Sequence, residues 1–217
     1  MFEKIAGELK EAGVQLVAVS KTKSPDQILE LYRKGQRVFG ENKVQELVSK
    51  QEVLPSDIQW HLIGHLQTNK VKYIAPFAAM IQSVDSWKLL LEIDKQAAKC
   101  GRIIPCLLQF HIAEEETKFG LSLQEAEALL SSETFRGLKH VRIAGVMGMA
   151  TFTDDEVQVG REFHRLREMF LFLKAHYFAE DPGFKEISMG MSSDYAIALK
   201  EGSTMARIGT LLFGPRS

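Results

Sequence analysis

QLVAVSKTKSPDQILELYRKGQRVFGE, residues 15–41, is the stretch on which the fold turns. QLVAVSK (15–21) is a short apolar run without polar alternation, as a strand buried on both faces of a parallel sheet requires. SPDQILELYRKG then changes to helical spacing. Ser24 is placed to cap, Pro25 suits the first helical position, and Gly35 ends the element. Ile28, Leu29, Leu31 and Tyr32 supply its apolar stripe. RVFGE (37–41) returns to strand character, which completes a βαβ unit.

The same alternation runs through the chain. Further strand candidates are IQWHLIG (58–64), MIQSVD (80–85), IIPCLLQFHI (103–112), VRIAGVMGM (141–149), EISMG (186–190) and MARIGTLLFG (205–214). The longest helical pattern spans Asp154 to His176, with Phe163, Leu166, Phe170 and Leu173 at helical spacing. Eight βα steps over residues 1–217 predict an α/β fold, a single (β/α)8 TIM barrel. An open doubly wound sheet is the competing arrangement.

Composition narrows the function classes. The 217 residues are 45% apolar and 25% charged, ordinary for a globular chain with a real core. Twenty-seven basic and 28 acidic residues leave a formal charge of −1, which argues against nucleic acid or anionic membrane as partner. No apolar run approaches the ~20 residues of a membrane span. MFEKIAGELKEAG reads as a charged amphipathic helix, not a signal peptide. Cys100 and Cys106 form no CxxC pair, so neither a disulfide framework nor a zinc site is expected; a reducing cytoplasm is.

In a barrel the chemistry gathers where strands end and βα loops begin. Lys21 ends strand one, Glu41 and Asn42 strand two, Gly64 and His65 strand three, Ser83 and Asp85 strand four. Lys118 follows strand five, and Met147 and Met149 end strand six. Ser192 follows strand seven, and Gly209 with Thr210 falls within strand eight. Lys21 has two readings. Its stem can pack while its ammonium reaches solvent, or desolvation can make it a nucleophile toward an aldehyde. Lys23 shares its parity, and depth favours Lys21.

SMGMSSDYAIALKEGSTMARIGT (188–210) is the second constellation. Ser192 and Ser193 open a helix pattern whose N–H groups suit an anion, and Arg207, Gly209 and Thr210 follow. Barrels often hold phosphate after strands seven and eight; an ordinary N-cap and a tight turn explain the pattern equally well. WHLIGHLQTNK (60–70) contains His61 and His65 without metal-ligand spacing. Asn42 is placed either to meet a cofactor edge or merely to cap.

Together, VAVSKTK (17–23), FGENKVQE (39–46), WHLIGHLQTNK (60–70), SVDS (83–86), EETKFGLS (115–122), GVMGMA (145–150), SMGMSSDY (188–195) and ARIGTLLFG (206–214) resemble one family. It is that of the pyridoxal phosphate homeostasis proteins, the YggS/PROSC type. The segments run in the family's order over nearly the whole chain, and the third is its signature. The resemblance implies a barrel of the alanine racemase N-terminal domain type, with pyridoxal 5′-phosphate (PLP) as a covalent aldimine on Lys21. It further implies that Ser192, Gly209 and Thr210 hold the phosphate. Arg207 would face the pyridine nitrogen, with Asn42 near the ring or phosphate. Packing of His61, Met147 and Met149 against the ring is a looser implication.

Racemases of this fold need a second acid–base group, a tyrosine supplied by a further domain. The sequence ends at Ser217, just past the eighth strand, and Tyr32, Tyr73, Tyr177 and Tyr195 all fall in helical stretches. The expectation is therefore a monomeric, cytoplasmic PLP-binding protein without robust catalysis. It would buffer the cofactor or deliver it to apo PLP-dependent enzymes, and influence amino-acid balance. The alternatives are a PLP-dependent amino-acid racemase and a Schiff-base aldolase that uses Lys21 without PLP.

Overall fold

The computed structural model describes residues 1–114 and 119–214; Lys118 lies outside them. The elements run α1 Phe2–Glu11, β1 Gln15–Val19, α2 Pro25–Arg33, β2 Val38–Glu41, α3 Val44–Val53, β3 Gln59–Leu62, α4 Val71–Ile74, β4 Met80–Val84 and α5 Trp87–Lys99. They continue with β5 Ile104–Phe110, α6 Leu123–Ser131, α7 Glu133–Arg136, β6 Val141–Gly148, α8 Glu156–Tyr177, β7 Glu186–Ser188, α9 Tyr195–Lys200, β8 Met205–Ile208 and α10 Thr210–Phe213. The eight strands pair in sequence order, all parallel, and β8 pairs with β1 to close the barrel. This is the (β/α)8 architecture, not the open sheet.

The local signals act as their chemistry requires. Ser24 caps α2 in a reciprocal capping box with Gln27, Pro25 occupies the first helical position, and Gly35 follows at φ +97°. Asp155 caps α8 by accepting from the N–H groups of Val157 and Gln158. Phe163, Leu166 and Leu173 bury against the barrel, and each such side chain contributes about 1.5–3 kcal/mol. Phe170 is only half-buried and stacks on Phe184, with centroids 5.0 Å apart.

Strand parity divides the core. Val17, Val38, Met80, Leu107, Ala144, Met147 and Met205 form the cluster inside the barrel. One residue out of phase, Ala18, Phe39, Ile81, Leu108, Val146 and Ala206 belong to the larger cluster beneath the helices.

Several expected ends move. β1 stops at Val19, so Lys21 lies in the turn beyond the strand. β8 stops at Ile208 and the chain turns at Gly209 into α10, so Gly209 and Thr210 follow the strand instead of lying within it. An apolar run such as MARIGTLLFG does not by its periodicity separate a strand from a strand plus one helical turn. The helix after β7 begins at Tyr195 with Asp194 as its N-cap residue, leaving Ser192 and Ser193 in the preceding turn.

Candidate functional site: a cavity at the C-terminal rim

β1 leads into a tight turn. The Lys23 N–H donates to the Ser20 carbonyl at 3.0 Å, and Thr22 takes φ +64° at the third turn position. That sign of φ is what a type II turn demands there, and glycine usually supplies it. A β-branched residue in this region is a true outlier, costing on the order of 1–3 kcal/mol. The turn aims both lysines at one space. Lys21 and Lys23 line a cavity of about 560 Å³ at the C-terminal ends of the strands. Lys23 also reaches the Phe213 carbonyl, 3.4 Å away, at the end of α10.

All the other site residues expected from sequence line the same cavity: Asn42, Ser192, Arg207, Gly209 and Thr210. Asn42 owes its place to Gly64, where an added Cβ would lie 2.4 Å from the Asn42 carbonyl oxygen. Any side chain at residue 64 would therefore displace Asn42. After β8, the Gly209 N–H donates to Ser192 Oγ at 3.2 Å, tying the turn after β7 to the turn after β8. The Ser192 hydroxyl retains its proton for a second partner. As the first residue of α10, Thr210 has an N–H with no carbonyl of a preceding helical turn to meet.

Arg207 forms a charged, buried part of the wall. NH1 donates to Ser188 Oγ at 2.7 Å and NH2 to the Gly148 carbonyl at 2.9 Å. Burial pulls its guanidinium down to about 10, opposed by Asp194, so it is charged at neutral pH. From it a polar chain crosses the barrel interior. Ser188 Oγ donates to Gln82 Oε1 at 2.6 Å, and Gln82 Nε2 meets His61 Nδ1 at 2.8 Å. Arginine has no acceptor, so each link has one possible direction. Ser188 must accept from Arg207 and donate to Gln82, whose amide nitrogen then donates to His61. His61 thus accepts at Nδ1, and burial pulls its pKa down to about 4, so it is neutral.

Some expectations shift. Met149 lines the cavity, whereas His61 and Met147 sit within the barrel interior. Glu41 turns outward, in phase with Phe39, and pairs with Lys50 at 2.6 Å. His65 pairs with Asp85 at 2.8 Å and stacks on Phe119. Tyr195, in a helical stretch as expected, donates to Glu8 of α1 at 3.0 Å. Gln82 and Ser188 were missed by sequence reading. Each is a polar residue in a barrel strand, and Ser83 and Glu186 stand beside them in the same strands, so polarity alone does not single them out. Val19, Ile63, Met191, Ser193, Gly214 and the exposed Phe152 complete the lining.

A family model described as alanine racemase, N-terminal domain, matches residues 2–217. The pyridoxal phosphate homeostasis protein of Aquifex aeolicus is 38% identical over 222 residues, covering 100% of this chain and 95% of the relative. The chain belongs to the pyridoxal phosphate homeostasis protein family. Another family member, from Escherichia coli strain K12, is 35% identical over 94% of this chain and 86% of its own. Among solved structures, PipY of Synechococcus elongatus with PLP bound superposes with a TM-score of 0.86 at 36% identity. That match covers 98% of this chain and 99% of PipY. An alanine racemase from Bartonella henselae, 16% identical, shares the fold with a TM-score of 0.69 over 57% of its chain. Among the described residues no helix is long and apolar enough to cross a membrane, and no cluster of His, Cys, Asp or Glu is placed to hold a metal ion.

Proposed function

We propose that this protein holds PLP as a Schiff base on Lys21 and serves PLP homeostasis by buffering or delivering the cofactor, without robust catalysis of its own. One observation carries the reading: a lysine, a buried arginine and a serine–glycine–threonine group line one cavity at the C-terminal rim. Its volume, about 560 Å³, suits a small cofactor. PLP supplies an electrophilic aldehyde on a pyridine ring that carries a phosphate.

The donor set matches each of those groups. Lys21 supplies the amine. Ser192, Gly209 and Thr210 supply hydroxyl and backbone donors for the phosphate. Arg207 donates toward the ring nitrogen and, as a cation, keeps it unprotonated. That weakens the ring as an electron sink and supports holding over broad carbanion chemistry. Asn42, which lines the same cavity after β2, contacts the ring or phosphate. Tyr195, turned to Glu8, supplies no acid–base group to the cavity, and the relatives' name accords with a homeostatic role.

The visible absorbance of the purified protein with PLP, before and after borohydride, tests the Lys21 linkage; reduction should leave a stable adduct on the peptide containing Lys21. Transfer to an apo-enzyme, with and without a free-PLP trap, tests delivery. Transfer no faster than spontaneous release would remove the delivery role. Rapid Lys21-dependent exchange of an amino acid's α-hydrogen with deuterium would replace it with a racemase.

A further inference from the structure

Glu41, Glu46 and Lys50 make up a charged cluster outside the barrel, and among the described residues every side-chain hydrogen bond it makes beyond itself falls on a residue flanking Lys21. Glu41 Oε1 accepts from Ser20 Oγ at 2.7 Å. Glu46 Oε2 accepts from the Thr22 N–H at 2.8 Å. Lys50 Nζ donates to the Ser20 carbonyl at 2.8 Å, to Glu41 Oε1 at 2.6 Å and to Glu46 Oε2 at 3.3 Å. Those three bonds use all three ammonium protons.

The geometry has a specific consequence. The Ser20 carbonyl belongs to the peptide plane before Lys21, and the Thr22 N–H belongs to the plane after it. Holding both planes fixes the two soft backbone torsions of Lys21, and with them the direction in which its side chain leaves the chain. Thr22, at its unfavourable φ of +64°, is held from the next plane by the Lys23 N–H, which donates to the same Ser20 carbonyl at 3.0 Å. Parity keeps the roles apart: Ser20 faces outward to the cluster, while Lys21 faces the cavity.

Stability alone is a poor reason for this arrangement. A buried ion pair returns little over well-packed apolar side chains, because desolvating both charges offsets their attraction. Glu41 is fully buried, and its Oε2 has no hydrogen-bond partner among the described residues. Burial pushes its carboxyl above the ordinary range although Lys50 and Ser20 oppose the shift. A costly cluster whose side-chain hydrogen bonds beyond itself land on one turn is a device for that turn.

We infer that Glu41, Glu46 and Lys50 are positioning residues that set the backbone of Lys21 for attack on the PLP aldehyde. The inference rests on the proposed Lys21 linkage. Full-length wild type, Lys50→Met and Glu46→Ala are titrated with PLP and with 4′-deoxypyridoxine 5′-phosphate, which keeps ring and phosphate but lacks the aldehyde. Expected is a loss of about 10-fold or more in PLP affinity and in the rate at which the visible band appears, with analogue affinity unchanged. Glu46→Gln, which keeps an acceptor for the Thr22 N–H, should recover most of the PLP affinity. Glu46 lies at the partly exposed edge of the cluster, so its variants keep the test available if Lys50→Met does not fold. Equal loss for both ligands would show a merely structural cluster and overturn the inference, as would no change for either. Wild type giving no borohydride-trapped adduct on Lys21 would overturn the functional reading itself, before any variant is compared.

Discussion

Lys21 and Lys23 stand two residues apart and both reach the cavity, so paired substitutions are the direct way to separate them. Lys21→Ala should abolish the visible absorbance of the PLP-loaded protein, whereas Lys23→Ala should keep it. Loss of the band only in the Lys23 variant would move the linkage there. Arg207→Ala and Ser192→Ala should each weaken PLP retention by roughly 1–3 kcal/mol, measured by equilibrium dialysis, through the loss of one polar partner. His61 carries a pH signature. Its folded pKa is depressed from 6.5 to about 4 by burial, so the unfolded chain takes up the proton first. Stability present above about pH 6.5 is therefore lost as the pH falls toward 4, by on the order of 3 kcal/mol. Urea denaturation across this window should show that slope in wild type and a shallower one in His61→Gln. The proposed ligand-contacting residues were legible in sequence because they sit at strand ends in family motifs. Gln82 and Ser188 were not, because polarity inside a strand says nothing of the direction it faces until the barrel closes.

At the scale of elements, α8 does more than cover the barrel. Its Glu162 is buried, and it accepts from the Thr151 N–H at 2.6 Å, the Thr151 hydroxyl at 2.7 Å and the Glu114 N–H at 3.2 Å. One helix side chain thereby ties together the loops that follow β5 and β6, and the second of these carries the cavity residue Phe152. Burial alone would raise the Glu162 pKa, but these hydrogen bonds outweigh it and leave the carboxyl below its ordinary value. Its contribution is thus present above the ordinary carboxylate range and lost as the pH falls through the lowered pKa. Glu162→Ala should cost roughly 1–3 kcal/mol in urea denaturation through stranded donors, and it should flatten the acid limb of the stability curve. No pattern in the helix announced this role, since Glu162 stands beside the apolar stripe and its partners lie on two distant loops. The cap of α2 was legible because its partner is local. The end of β8 was not, because TLLF continues the apolar run across Gly209.

For the whole molecule, PLP binding couples to folding. A ligand that joins Lys21 in the turn after β1 to Arg207 on β8 and Ser192 after β7 spans the seam where the barrel closes. Saturation at about 100 times Kd should add about 2.7 kcal/mol to the folded state. For a domain of this size that raises Tm by roughly 5–10 °C. Lys21→Ala should lose most of the gain, whereas phosphate alone should retain a small part; equal shifts in wild type and Lys21→Ala would argue against the linkage. Sequence alone settles the order of the eight βα steps, the local caps and the candidate residues at the rim, because each depends on neighbours along the chain. Closure decides the rest. Only when β8 pairs with β1 is the phase of every strand set, which turns Arg207, Ser188, Gln82 and His61 inward as one hydrogen-bonded chain. The same closure turns Ser20 and Glu41 outward to Lys50. Lys21 was visible from the start; the clasp on its two peptide planes exists only because β1, β2 and α3 meet in space.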